Sequence, residues 1–342
     1  MTRVGLIARA TDSGLGYLSL DFHRHFEPDE TLVIVDADPR YQDHLDWFPG
    51  AATMPYLRFD QPRLEAWMAD LDVVMCYETF YQLETLRAAR STGTRTVLMG
   101  MPELTRRDTA RGYLGDPDLY VWPTTWLMHE LPGEYLPIPV TPQPECNRGR
   151  RSDALSILHV VGQPALADRN GTDIFLTALR MVPAEIDVRI CAADISRLDL
   201  TKIPDNVHID LWGNVPNRYL MYNDCDLLVL PRRYGGLSLP VLEAMSCGLA
   251  VMMPDCPPQS TDWPILSIPC LNDGVQKCPA GWVPRHFTAP GEVAARIEQV
   301  AYDRNLVDKA AEAARSWTRA NSWSALAPAY TRALGRACGS TC

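Results

Sequence analysis

The stretch Asp226–Val251, DLLVLPRRYGGLSLPVLEAMSCGLAV, decides how the rest of the chain reads. It opens on an apolar strand, Leu227 to Leu230, and runs into a glycine turn at Gly235 and Gly236. A helical pattern follows, with Pro240 near its start and Glu243 in its first turn. Gly248 ends the helix and a second apolar strand begins. Strand, glycine turn and helix in this order suit an anion such as a phosphate. The first N–H groups of a helix lack internal partners, and the peptide dipoles make that end positive. Glycine lets a ligand come close to the backbone. Proline in the first turn gives up only an N–H that has no partner there anyway. A carboxylate one turn in, at Glu243, can accept two hydrogen bonds from a ribose diol. An ordinary βαβ unit would also produce the short piece taken alone.

Bulk properties bound the rest. A length of 342 residues suggests two domains. With 46% hydrophobic and 22% charged residues, the chain is globular and able to bury real cores. No apolar run approaches a membrane span, and a strand-like VGLIA follows Met1 almost at once, so a cytoplasmic protein is expected. The ten cysteines are scattered, without a C-x-x-C pair, and read as reduced thiols. His23 and His25 have no such pair beside them, so zinc is not expected. A net charge of −10 argues against a broad nucleic-acid surface.

Strand and helix patterns alternate along the first half. Strands are expected at Val4–Ala8, Leu32–Val35, Val73–Cys76 and Thr96–Met99, and helices at Tyr17–His25, Pro62–Met68 and Tyr81–Arg90. The stretch Pro137–Asp153 is rich in proline and charge and reads as a linker. A second series follows: strands at Leu155–Val161, Val188–Ala192, His208–Leu211 and Leu227–Leu230, a helix at Thr172–Leu179, and a helical tail from Pro290 broken near Asn305 and Asn321. Such alternation implies parallel sheets covered on both faces. The expected architecture is α/β: two Rossmann-like domains whose parallel sheets face a central cleft.

The whole 226–251 segment resembles the donor site of GT-B glycosyltransferases, most closely the large retaining family 4. That family's pattern is Pro-Ser-x-x-Glu-Gly-x-Gly-x-Pro-x-x-Glu-Ala. Pro231, Gly236, Pro240, Glu243 and Ala244 fall on it. Arg232 replaces the serine, Gly235 the first glutamate and Ser238 a glycine. The resemblance implies the GT-B fold. It would place an acceptor domain at 1–140, a linker at 141–153, a donor domain at 154–315, and a C-terminal helix at 316–342 packing back on the first domain. It implies that Glu243 holds the nucleotide ribose. The diphosphate would lie over Gly236, Leu237, Ser238, Leu239 and Pro240. The first glutamate helps hold the transferred sugar, so Gly235 puts sugar identity and turnover in question.

Other loops carry the same likeness. The family's Gly-Arg and Lys-Gly cations, which clamp the diphosphate, fall here on Gln163 and Asn170, and Arg169 one residue earlier is a candidate to supply the charge. Asn214 stands where the loop passes the nucleotide base. Gly14 and Gly16, between the first strand and first helix, resemble the family's glycine loop. Glu78 and Glu103 follow consecutive strands and are candidates to orient or deprotonate an acceptor hydroxyl. Asp36 and Asp38 resemble an Asp-x-Asp metal motif, but their place at the end of a βαβ strand speaks against it, and no metal or cofactor is expected. The expected reaction moves a sugar from a nucleotide diphosphate sugar to a hydroxyl with retention, without a metal. Two alternatives stand beside it. One is a catalytically degenerate nucleotide-binding scaffold. The other is a macromolecular acceptor, such as a virion protein or modified DNA base, since the short first domain and compact tail resemble small phage-encoded glycosyltransferases.

Overall fold

The computed structural model describes residues 2–35, 43–56, 58–105, 116–143, 146, 154–162, 168–213, 215 and 217–339. The chain divides into two compact units. One comprises Met1–Ile138, Cys278–Gly281 and Trp323–Cys342, and the other Pro139–Lys277 and Trp282–Ser322.

The first unit is built on a parallel sheet of β1 (Val4–Arg9), β2 (Glu30–Val35), β3 (Ala52–Pro55), β4 (Val73–Tyr77), β5 (Arg95–Met99), β6 (Leu119–Trp122) and β7 (Glu134–Tyr135). Their order is β3-β2-β1-β4-β5-β6-β7. The strands are near-continuous apolar runs because helices cover both faces of a parallel sheet. Helix α1 (Gly14–Phe26) starts at Ser13, whose side chain accepts the N–H of Gly16 at 3.1 Å. Gly14 and Gly16 therefore belong to the first helical turn rather than to the loop expected before it. A Cβ on Gly16 would lie 2.0 Å from the Thr11 carbonyl oxygen, so its small size serves the close approach of helix to turn. Helix α2 spans Gln61–Met68. Helix α3 (Leu83–Thr92) begins two residues later than expected, because Tyr81 takes φ +64° and Gln82 is extended. The C-terminal helix Trp323–Ala337 belongs to this unit; Trp323 and Tyr330 pack on Phe22, and the Tyr330 hydroxyl donates to the Pro137 carbonyl.

The second unit repeats the plan with β8 (Leu155–Val160), β9 (Ile186–Cys191), β10 (Val207–Trp212), β11 (Leu227–Val229), β12 (Ala250–Pro254) and β13 (Leu266–Ile268). Their order is β10-β9-β8-β11-β12-β13, all parallel. Helix α4 (Thr172–Leu179) and helix α5 (Leu239–Ser246) follow β8 and β11. A core of Ile157, Phe175, Val188, Leu227, Met252 and Ile297 fills the space between sheet and helices. In each sheet the order reverses direction once, between β1 and β4 and between β8 and β11. Loops leaving the C-terminal ends of the two flanking strands lie side by side there, which is where open α/β sheets bind ligands. Among the described residues no helix is long and apolar enough to cross a membrane.

His159, in β8, is fully buried and stacks on Phe175. Its Nδ1 faces the Val229 carbonyl at 2.8 Å and so carries the proton; Nε2, 3.0 Å from Thr172 Oγ1, accepts. Burial pushes its pKa down from 6.5 to about 4, so the folded ring stays neutral while an unfolded one would charge. Between those values the unfolded state binds more protons, and stability falls as pH falls from 6.5 towards 4. The expected loss is about 3 kcal/mol across that window. Urea midpoints against pH check it: His159→Gln, which does not titrate, should lack this segment of the profile.

Candidate functional site

The second unit's reversal brings together the loop after β8 and the loop after β11. Gly171, at φ +73°, lies so close to the second loop that a Cβ would meet the Pro231 carbonyl oxygen at 2.1 Å. The Arg233 N–H donates to the Arg169 carbonyl at 2.9 Å, which ties the loops a second time. Asp168 caps α4 by accepting the N–H groups of Thr172 and Asp173 at 2.6 and 3.1 Å, which fixes the approach of Arg169.

Two guanidiniums then meet one carbonyl. Arg232 is 4% exposed; its Nη2 donates to the Leu237 carbonyl at 2.8 Å and its Nη1 to Asn170 Oδ1 at 3.1 Å. Arg169, half-buried, reaches the same carbonyl through Nη2 at 3.4 Å and lies over the Tyr234 ring at 5.8 Å. Leu237 directly precedes Ser238, the N-cap of α5. The Ser238 hydroxyl is buried and makes no cap hydrogen bond; among the described residues it has no partner. The positive end of α5 and two cations thus share one corner. Gly236, Leu237, Ser238, Leu239 and Pro240 form that corner, with Gly235 at its edge.

Asn170 takes no charge to the site. It is buried, and its Nδ2 donates to the Val160 carbonyl at 2.9 Å. Gln163 and Asn214 lie outside the described residues, as do Asp36 and Asp38. Among the described residues no group of three His, Cys, Asp or Glu side chains is placed to hold a metal.

Glu243 sits in the second turn of α5, not the first, because the helix begins at Leu239. Its Oε2 accepts the Tyr222 hydroxyl at 2.6 Å and its Oε1 faces Arg218 Nη1 at 3.3 Å. Burial, then the Glu243 charge, hold the Tyr222 phenol well above its usual pKa, so it stays a donor. Nothing in the spacing of Arg218 and Tyr222 announced this brace; they come from the short 3-10 turn Arg218–Tyr222 before β11.

In the first unit, Glu78 and Tyr81 both take φ +64° in the loop after β4. The loop is braced: the Thr105 hydroxyl donates to the Glu78 carbonyl at 3.0 Å, and the Glu78 N–H to Met99 at 2.8 Å. Glu78 lines a cavity of about 260 Å³ with Phe80, Tyr81, Leu86, Thr105 and Tyr120. Glu103 is 1% exposed and is not part of that lining. Gly14 is exposed at the helix start beside the same reversal.

Fold and site together define the class. Residues 156–263, which hold the whole cationic corner, match the family model for Glycosyl transferases group 1. The complete chain has the GT-B fold. HepE of Anabaena, crystallised with UDP and glucose, superposes with a TM-score of 0.72 at 12% identity, over 98% of this chain and 100% of that one. A glycosyltransferase from Rickettsia africae gives 0.71 at 10% identity, over 99% of both chains. The lipopolysaccharide outer core galactosyltransferase WaaB gives 0.64 at 13% identity, over 97% and 99%. Among curated proteins no sequence matches significantly.

The Glu243 brace has a measurable consequence. Arg218→Ala takes away the guanidinium that faces the carboxylate. It should lower stability by about 2–3 kcal/mol, somewhat below a fully buried pair, since the two side chains are 11% and 12% exposed. Chemical denaturation of Arg218→Ala, Glu243→Gln and the double variant checks this. The double loss should be clearly smaller than the sum of the single losses.

Proposed function

We propose that this chain transfers a sugar from a UDP-sugar to a hydroxyl acceptor, with retention at the anomeric carbon and without a metal ion. One observation carries the reading. Arg169 and Arg232 converge on the carbonyl before the start of α5, and Glu243 lies one turn further along the same helix. When the bond from the anomeric carbon to the diphosphate breaks, negative charge grows on the leaving oxygen. Fixed dipoles and a guanidinium aimed at that charge stabilise it without reorganising. These cationic groups supply what a divalent ion would otherwise supply. Glu243 accepts from the ribose. UDP as the nucleotide is supported by the Anabaena HepE structures, which hold UDP or UDP-glucose. Retention rests on the likeness to family 4. The acceptor hydroxyl is assigned to Glu78, a residue of the cavity lining, ahead of the buried Glu103.

Gly235 favours a second reading, nucleotide binding without turnover. Incubation with a panel of UDP-sugars separates the two, because a transferase hydrolyses its own donor slowly even without acceptor. Release of UDP from one member of the panel is expected, and no release from any would favour the scaffold. Chelator should leave that release intact; a strict need for manganese would bring Asp36 and Asp38 back as ligands. By calorimetry, Glu243→Ala should weaken UDP by roughly tenfold, the value of charge-assisted hydrogen bonds to the ribose. Unchanged affinity would remove Glu243 from the site.

A further inference from the structure

Gly235 takes φ +105°, and a Cβ there would have to displace the Arg169 guanidinium. An ideal Cβ would stand 2.5 Å from Arg169 Nη2, 2.6 Å from Nε and 2.8 Å from Cζ. All three lie under the 3.0 Å that real Cβ contacts essentially never breach. The volume beside Gly235 is therefore filled by one guanidinium. That guanidinium is fixed on its other sides by the Tyr234 ring and the Leu237 carbonyl. Its backbone is pinned by the Arg233 N–H and by the turn at Asp168, φ +48°. A side chain at position 235 and the Arg169 head group are alternative occupants of the same space.

We infer that Gly235 is a positioning residue for Arg169: by carrying no side chain it seats the guanidinium at the mouth of α5, where it engages the phosphate oxygens of the donor. The inference deepens the proposed donor site and rests on that reading. It also changes the meaning of the departure from the family pattern. The position that holds a carboxylate in the pattern is given over to a cation from the neighbouring loop. A glutamate put back at 235 would collide with Arg169 or pair with it, and either outcome removes charge from the phosphates.

The experiment is a set of UDP and uridine affinities for the wild type, Gly235→Ala, Gly235→Glu, Arg169→Ala and the Arg169→Ala/Gly235→Ala double variant. Gly235→Ala, Gly235→Glu and Arg169→Ala should each weaken UDP by about tenfold and leave uridine within about twofold. The double variant should bind UDP no more weakly than Arg169→Ala alone. Backbone strain without a role for Arg169 would weaken UDP and uridine alike and in both backgrounds. That result overturns the inference, as does a Gly235→Glu variant that binds UDP as well as the wild type. If Gly235→Ala fails to fold, folding of the double variant shows that the collision with Arg169 was the cause. Failure of both shows that the glycine serves its backbone angle alone and overturns the inference. A wild type that binds uridine or nothing, with no gain for UDP, removes the donor-site reading and this inference together. A wild type that prefers UDP while the variants behave additively removes the inference alone.

Discussion

Two guanidiniums sharing the carbonyl oxygen of Leu237 is the contact on which the cationic corner depends. A carbonyl oxygen has two lone pairs, so it can accept both. Bringing two cations to the positive end of a helix is unfavourable in itself, by the same dipole argument that draws anions there. The geometry is held by elements that cannot easily yield. Arg232 is locked by Asn170, which is locked by the β8 backbone, and Gly171 presses its loop against Pro231. The scaffold thus holds a cluster of positive charge whose energy falls when an oxyanion enters. That is preorganisation, in which the cost is met in folding rather than in the reaction.

The same reasoning explains why Glu243 needs a brace. It stands one turn from that positive corner, on a helix whose second turn is mostly buried. A carboxylate with only a tenth of its side chain exposed cannot rely on water. Tyr222 and Arg218 replace that water with fixed donors and set the direction of the carboxylate. The phenol is suited to this because burial keeps it protonated.

Much of this is legible in the sequence. The apolar runs that became β1, β2, β4 and β5 are continuous, as strands buried on both faces must be, and their ends fell within two residues of the observed ones. Helix α4 was read at its observed limits because Thr172–Leu179 carries a strong apolar pattern. Strands β3, β6 and β7 went unread, since four residues or two show no period. The start of α3 slipped because the left-handed turn at Tyr81 uses no glycine, so nothing in the residue types marked it. In the candidate site, the glycine turn and the helix after it are readable from the sequence, though Glu243 falls one turn further along that helix than expected. The exchange between Gly235 and Arg169 is not readable there. The two stand 66 positions apart in number, and only the reversal of strand order between β8 and β11 makes them neighbours.

Both units use one sheet plan, yet different side chains meet at their reversals. In the second, the loops after β8 and β11 deliver arginines to a helix start. In the first, the loops after β1 and β4 deliver a helix start at Gly14 and a carboxylate, Glu78, held in a left-handed conformation. Such a conformation costs a non-glycine residue of order 1–3 kcal/mol, and it persists only where the surroundings over-determine it. Thr105, Met99 and the Cys76 thiol, which donates to the Thr79 carbonyl at 2.7 Å, provide that constraint. One sheet plan therefore carries a cationic helix start at one reversal and a backbone-strained Glu78 at the other.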